Sequence, residues 1–100
     1  MTIDVRIKPD GDFLPQRIKK DPADIVDVVI DYTQYFKTDT LTGVTTETQN
    51  IDVDSNSLTN NVLTLFISGG TNGVNGRIKL TASTSTVTIE RTIIVQVEDK

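Results

Sequence analysis

The chain contains no cysteine and no histidine. Those two absences remove the commonest general base, the thiol nucleophile and most transition-metal ligands, and they leave no disulfide framework to mark an oxidising compartment. Tryptophan is missing too, and two Tyr and three Phe are the whole aromatic inventory. Aliphatic side chains therefore have to fill the core, and a carbohydrate-stacking platform would have few rings to draw on. Positive charge is short: 10 Lys and Arg against 14 Asp and Glu give a formal charge of −4. A nucleic-acid binder needs a basic stripe to displace counterions from phosphates, so that class of partner is not expected. Nor is there a long apolar run at the start, where MTIDVRIKPDGDFLPQRIKK alternates charged and apolar residues. Neither a signal peptide, secretion by that route, nor a membrane partner is expected.

What the chain has in excess is threonine, sixteen residues in 100. β-Branched side chains lose less freedom in strands than in helices, so the composition favours pleated surfaces, and the length suits one domain. The pattern along the chain agrees. Ile3, Val5 and Ile7 alternate with Asp4, Arg6 and Lys8 as a short strand or pairing arm. Residues 9–23, with Pro9, Gly11, Pro15 and Pro22, read as an extended connector. From Ile25 to Tyr32, Val26, Val28, Ile30 and Tyr32 share one face of a strand and Asp27 and Asp31 the other. The Thr-rich stretch from Tyr35 to Gln49 predicts short strands near an edge, with Gly43 at a turn or bulge. Ile51 and Val53 form a short strand that the polar run Ser55–Ser57 ends in a loop. Val62 to Ser68 is apolar on both parities, which predicts a central strand buried on both sides. Gly69, Gly70 and Gly73 predict a hairpin reversal into a strand carrying Gly76, Ile78, Leu80 and Ala82 on one face. A last strand with Ile89, Ile93, Val95 and Val97 on one face, broken by Arg91, should pair with it across Ser83–Thr86.

Such strands predict an all-β, immunoglobulin-like antiparallel β-sandwich over residues 18–100, preceded by an extended N-terminal arm over 1–17. Features that could carry chemistry have simpler readings. Asp52, Asp54 and Asn56 have the spacing that opens a calcium loop, but Ser57 stands where its glycine belongs and Leu63 where its glutamate belongs. Asp27 and Asp31 share a strand face without an implied pocket. The glycines from Gly69 to Gly76 lack the lysine and the helix of a phosphate-binding loop. No catalytic residue, metal site or cofactor is expected, and the chain is not expected to be an enzyme. Arg17, Lys19 and Lys20 form a basic cluster suited to solvation or to docking on an acidic partner.

The segment KKDPADIVDVVIDYTQYF, the Thr-rich middle, and LFISGGTNGVNGRIKLTASTSTVTIERTIIVQVED together resemble small virion proteins of tailed bacteriophages, the fibre-to-tail adaptor family. The likeness lies in Lys20, Asp21 and Pro22 ahead of a strand ending at Tyr32, in Ser68–Gly70, and in Glu90 and Arg91. It covers roughly residues 18–99, and where the family often carries tryptophan this chain has Tyr32 or Tyr35. The resemblance implies a structural protein made in the host cytoplasm and located in the virion, present in several copies and joining tail fibres or neighbouring structural proteins. The alternatives are a capsid decoration or cement protein, and a receptor- or carbohydrate-binding module using the loops Ser55–Asn61 and Gly69–Gly76. Partner contacts are expected at Ile3, Val5 and Ile7, by strand addition to a neighbour's open edge, and at Arg17, Lys19 and Lys20; alternatively the N-terminal segment closes the chain's own sheet.

Overall fold

Period-two patterning resolves into nine strands among the described residues: β1 (Thr2–Ile7), β2 (Phe13–Leu14), β3 (Arg17–Lys20), β4 (Val26–Asp31), β5 (Gly43–Gln49), β6 (Asp52–Thr59), β7 (Val62–Ser68), β8 (Gly76–Ser83) and β9 (Thr88–Val97). The structure is a computed structural model describing residues 2–37 and 39–98. The outer limits read for the domain (1 and 100) and for the resemblance (99) lie outside the described residues. The strands form two layers, a five-stranded sheet in the order β2-β1-β4-β7-β6 and a four-stranded sheet in the order β3-β9-β8-β5. Between them the inward-facing Val, Ile and Leu side chains of β4, β7, β8 and β9 are buried. Each contributes about 1.5–3 kcal/mol of transfer free energy. The all-β sandwich is thus the observed architecture, with a radius of gyration of 13.2 Å that suits a single core of this length.

Several expectations change in detail. The sheets are mixed, because β1 lies parallel to β4 and β3 parallel to β9. Of the two readings of the N-terminal segment, the strand within the chain's own sheet is the one observed: β1 sits between β2 and β4, with Ile3 opposite Val28 and Val5 opposite Ile30. Its apolar parity continues the inward row of β4, so Val5 and Ile7 end in the core. The glycine segment after β7 is not a hairpin, since β7 and β8 belong to different sheets and the chain crosses between layers there. Ser55–Ser57 is not a loop. It continues β6, an edge strand that shifts register between Val53 and Ser55. The reversal comes later, at Asn60 and Asn61, whose φ values of 49° and 66° belong to the primed turns that fit strand twist. The Asn61 side chain also anchors the segment ahead of β5, accepting from Leu41 N at 2.8 Å and donating to Asp39 O at 2.8 Å.

Two cations tie the layers together near opposite ends of β9. At one end Lys20, inward-facing on β3, donates from Nζ to Asp21 O at 2.7 Å and to Gly69 O at 2.8 Å, joining β3 to the segment that leaves β7. At the other, Arg91 donates from Nε to Gly11 O at 2.6 Å, reaching the turn between β1 and β2. Beyond the end of β4, Tyr32 packs edge-on to Phe13 with ring centroids 6.2 Å apart and beside Phe36 at 6.1 Å. Its hydroxyl is buried without a hydrogen-bond partner among the described residues. Burial pushes the phenol well above the ordinary tyrosine range, and the Arg91 guanidinium pulls it partly back.

Gly76 has no room for a side chain, because a methyl there would overlap Ile51 and stand 3.2 Å from Gln49 O. Gly76→Ala is expected to destabilise the domain by about 1–3 kcal/mol through overpacking, read as a lower urea midpoint. Tyr32→Phe removes a buried hydroxyl that lacks a partner and is expected to stabilise by ~1 kcal/mol at neutral pH. The folded state holds the Tyr32 proton more tightly than the unfolded state does. Wild-type stability therefore falls as pH rises through the ordinary tyrosine value of about 10. Urea unfolding at neutral and alkaline pH should show the advantage of Tyr32→Phe growing with pH.

Candidate functional site

In a two-layer sandwich the inward parity of every strand is used by the core, so binding chemistry is left to the outward faces and the edges. On the five-stranded sheet the outward parity is unusual. Val29 on β4 stands opposite Thr64 on β7, which places Val62 and Phe66 at its two diagonals. Leu14 lies opposite Arg6, and Arg6 opposite Asp31. Phe66 is 44% and Leu14 45% exposed, and Ile25, just ahead of β4, is 68% exposed. β7 is central in its sheet, but its second face is open. No further layer among the described residues covers it, contrary to the expectation of burial on both sides. A depression of about 390 Å³ opens here, lined by Asp4, Arg6, Leu14, Val29, Asp31 and Val62.

The frame of this apolar centre is acidic. Asp4 stands opposite Val29, and Asp27 and Asp31 flank it along β4. Thr2 Oγ1 donates to Asp27 at 2.7 Å, and Asp31 Oδ1 accepts from Thr33 N at 2.9 Å and from Thr33 Oγ1 at 2.6 Å. On β6, Asp54 accepts from Ser68 Oγ at 3.0 Å. These aspartates are spread along strands, and Asp27, Asp31 and Asp54 are held by hydroxyl and amide donors. Among the described residues no group of three or more acidic side chains converges to hold a metal ion. An exposed apolar cluster ringed by charge is the usual surface of a protein–protein contact.

The residues expected at partner contacts divide by parity. Val5 and Ile7 are buried in the chain's own core, and Ile3 is half-buried against it. Arg17 and Lys19 are exposed on the outward parity of β3, while Lys20 shares the inward parity of Ile18 and is 2% exposed. The basic cluster of the sequence is therefore split by the pleat: two cations face solvent, and the third is a structural donor. The outward apolar set, Leu14, Val29, Val62 and Phe66, is not singled out by the sequence. The available signal is Val62 and Phe66 on the second parity of an already apolar strand, with no helix among the described residues to cover them.

The comparisons bear on this geometry. The model of the family described as podophage GP4 fiber-tail adaptor protein gp77 matches residues 20–96. The chain belongs to this family. The match begins at Lys20 and spans Ser68–Gly70 and Glu90–Arg91, so the matched stretch contains the two cationic donors and the Gly69 acceptor that bridge the two sheets. No curated protein matches the chain. Among solved structures, it is similar to the crystal structure of the cysteine protease inhibitor EhICP2 from Entamoeba histolytica (8% identity, 95% of this chain and 97% of that one, TM-score 0.46). It is also similar to the solution structure of amebosin (14% identity, 82% and 88%, TM-score 0.40).

Lys20→Met keeps most of the buried stem but removes the donors to Asp21 O and Gly69 O. The loss is expected to be about 2–4 kcal/mol, because two carbonyls lose a charged partner. Lys20→Ala should lose more by adding a cavity. Urea unfolding of the two variants against wild type measures both.

Proposed function

We propose that this fibre-tail adaptor works as a non-catalytic docking module of the virion, joining a tail fibre or a neighbouring structural protein to the particle through the outer face of its five-stranded sheet. The family match supports the adaptor role. The observation that carries the choice of surface is the cluster of exposed Leu14 and Phe66 with half-buried Val29 and Val62 on a face whose remaining positions are polar or charged. Left in water, such a cluster forgoes about 25 cal/mol for each Å² that a partner would cover. Phe66, exposed at a diagonal of Val29, has the character of an aromatic anchor, and the surrounding aspartates supply a polar rim.

The chemistry assembled here is recognition. The carboxylates sit on an open sheet face, and the side chains offer complementarity of shape and charge. Arg17 and Lys19, exposed on the opposite layer, supply a second contact region of opposite sign. Phe66→Glu is expected to leave the domain folded, because that side chain already faces solvent. It should lower the amount of this protein retained in purified particles by at least tenfold, since truncating an interface anchor typically costs ~2 kcal/mol or more. Ser85→Glu, in the exposed β8–β9 turn, serves as the control. Quantitative immunoblotting of particles, with circular dichroism of each variant, reads the outcome, and wild-type incorporation of Phe66→Glu would overturn this choice of surface.

A further inference from the structure

We propose that the outer edge of β5 is the acceptor for an extended segment of a different protein, a basic strand with alternating apolar side chains that adds to the four-stranded sheet. Phe66 lies on β7, away from this edge, so the two surfaces can be tested apart.

The pleat divides the main-chain polar groups of β5. Thr84 N donates to Val87 O, which turns the main-chain groups of Thr84 and of every second residue before it toward β9. Those of Ser83, Thr81, Lys79 and Arg77 therefore face β5, and Thr42 N donating to Ser83 O agrees. Through the register these residues stand opposite Gly43, Thr45, Glu47 and Gln49, whose own groups are spent in the ladder. The N–H and C=O groups of Val44, Thr46 and Thr48 are left pointing outward, where β5 ends its sheet.

Among the described residues the sheets end at β2, β6, β3 and β5, and all but the last are blunted. β2 has two residues and runs into Pro15, and β3 has four with Lys19 turned to solvent. β6 is interrupted by its register shift between Val53 and Ser55. β5 keeps a regular register over seven residues, with no proline and no lysine. Proteins ordinarily protect a long, regular edge because it templates another strand, and an edge left unprotected is suited to receive one.

The side chains around the edge specify what the incoming strand must carry. Val44 and Thr46 share the inward parity of Ala82 and Leu80 but are only half-buried. β6 adjoins β5 through Asn50 and Ile51, and its Val53 and Leu58 are half-buried against the same core. An added strand with apolar residues on its inward parity would complete this cover. Its outward parity would meet acid, because Glu47, Asp52 and Asp54 are the charged residues of β5 and β6, and neither strand carries Lys or Arg. Glu47 shares Lys79 with Glu90, at 3.3 Å and 3.8 Å, and Asp52 and Asp54 make no ion pair among the described residues. Lysines or arginines on the incoming strand would answer that charge. A second copy is the poorer fit: its described strands are all placed in its own sheets, and the β5 edge it could offer carries the same acidic sign.

The test is a nuclear magnetic resonance titration of the purified chain with a short synthetic peptide that alternates valine with lysine, beside the same peptide with glutamate in place of lysine. The lysine peptide is expected to shift the amides of Val44, Thr46 and Thr48 and to protect them from hydrogen exchange. The glutamate peptide should bind about tenfold more weakly, since its cross-strand charge pairs are repulsive. Thr46→Pro removes an outward N–H that the ladder to β8 does not use, and it should abolish peptide binding while the circular dichroism stays that of wild type. An absence of shifts at those amides over the titration, equal affinity for the two peptides, or wild-type binding by a folded Thr46→Pro chain overturns the proposal; the peptide comparison needs no variant to fold. Protection of the same amides that rises with chain concentration in the absence of peptide would give the edge to a second copy and overturn it as well.

Discussion

A single ammonium group holds the seam of this sandwich. Lys20 Nζ lies between the end of β3 in one sheet and the segment leaving β7 in the other, with backbone carbonyls from both sides as its acceptors. No acidic side chain pairs with it among the described residues. Burying an ammonium is costly unless its hydrogens are used, and here carbonyl dipoles use them. Gly69 belongs to the segment leaving β7, and Asp21 O, just past β3, also accepts from Asp24 N at 3.1 Å. One flexible side chain therefore joins two segments that are leaving different sheets. Gly70, next to the acceptor Gly69, takes a φ of 104° with its α-carbon packed close to Val97. That space and that backbone angle admit only a residue without a side chain.

Arg91 repeats the device near the other end of β9, reaching Gly11 O across the layers. Between these two ties the core is almost wholly aliphatic and needs no further polar specification. Both cations lie within residues 20–96, the stretch matched by the fibre-tail adaptor family model. Outward parities can change without disturbing the frame, because they touch neither the core nor the two cations.

The outward parities of this chain differ sharply in character. One sheet displays aliphatic and aromatic residues among aspartates, the other Ile94 between Arg17 and Arg77 with lysines beside it. Neither pattern is needed for stability, since Asp, Arg and Lys contribute little to a sheet from its solvent face. A non-catalytic module would be recognised by such surfaces, and its selectivity would reside in the spacing of charge around a small apolar centre.

Much of the frame was legible in the residues. Alternation from Val26 to Tyr32, from Gly76 to Ala82 and from Ile89 to Val97 identified the inward faces, because a period of two can bury only one parity against a partner layer. The sequence also carried the family resemblance through Lys20–Pro22, Ser68–Gly70 and Glu90–Arg91. What it left open were matters of partnership. Ile3, Val5 and Ile7 read equally well as an arm for a neighbour or as a strand of the same sheet, since a strand's alternation says nothing about which edge receives it. Three consecutive polar residues, Ser55 to Ser57, looked like a loop because the hydrogen bonds of an edge strand come from the backbone and leave no mark in side-chain type. Lys20 read as a surface charge until the pleat of β3 placed it beside Ile18 and within reach of Gly69, 49 positions away in the chain. By itself, then, the sequence determined which side chains seek the interior and which family motifs are present. Only the tertiary structure decided which strands meet, which cation is buried and which apolar residues stay in water, because each depends on contacts between segments far apart in the chain.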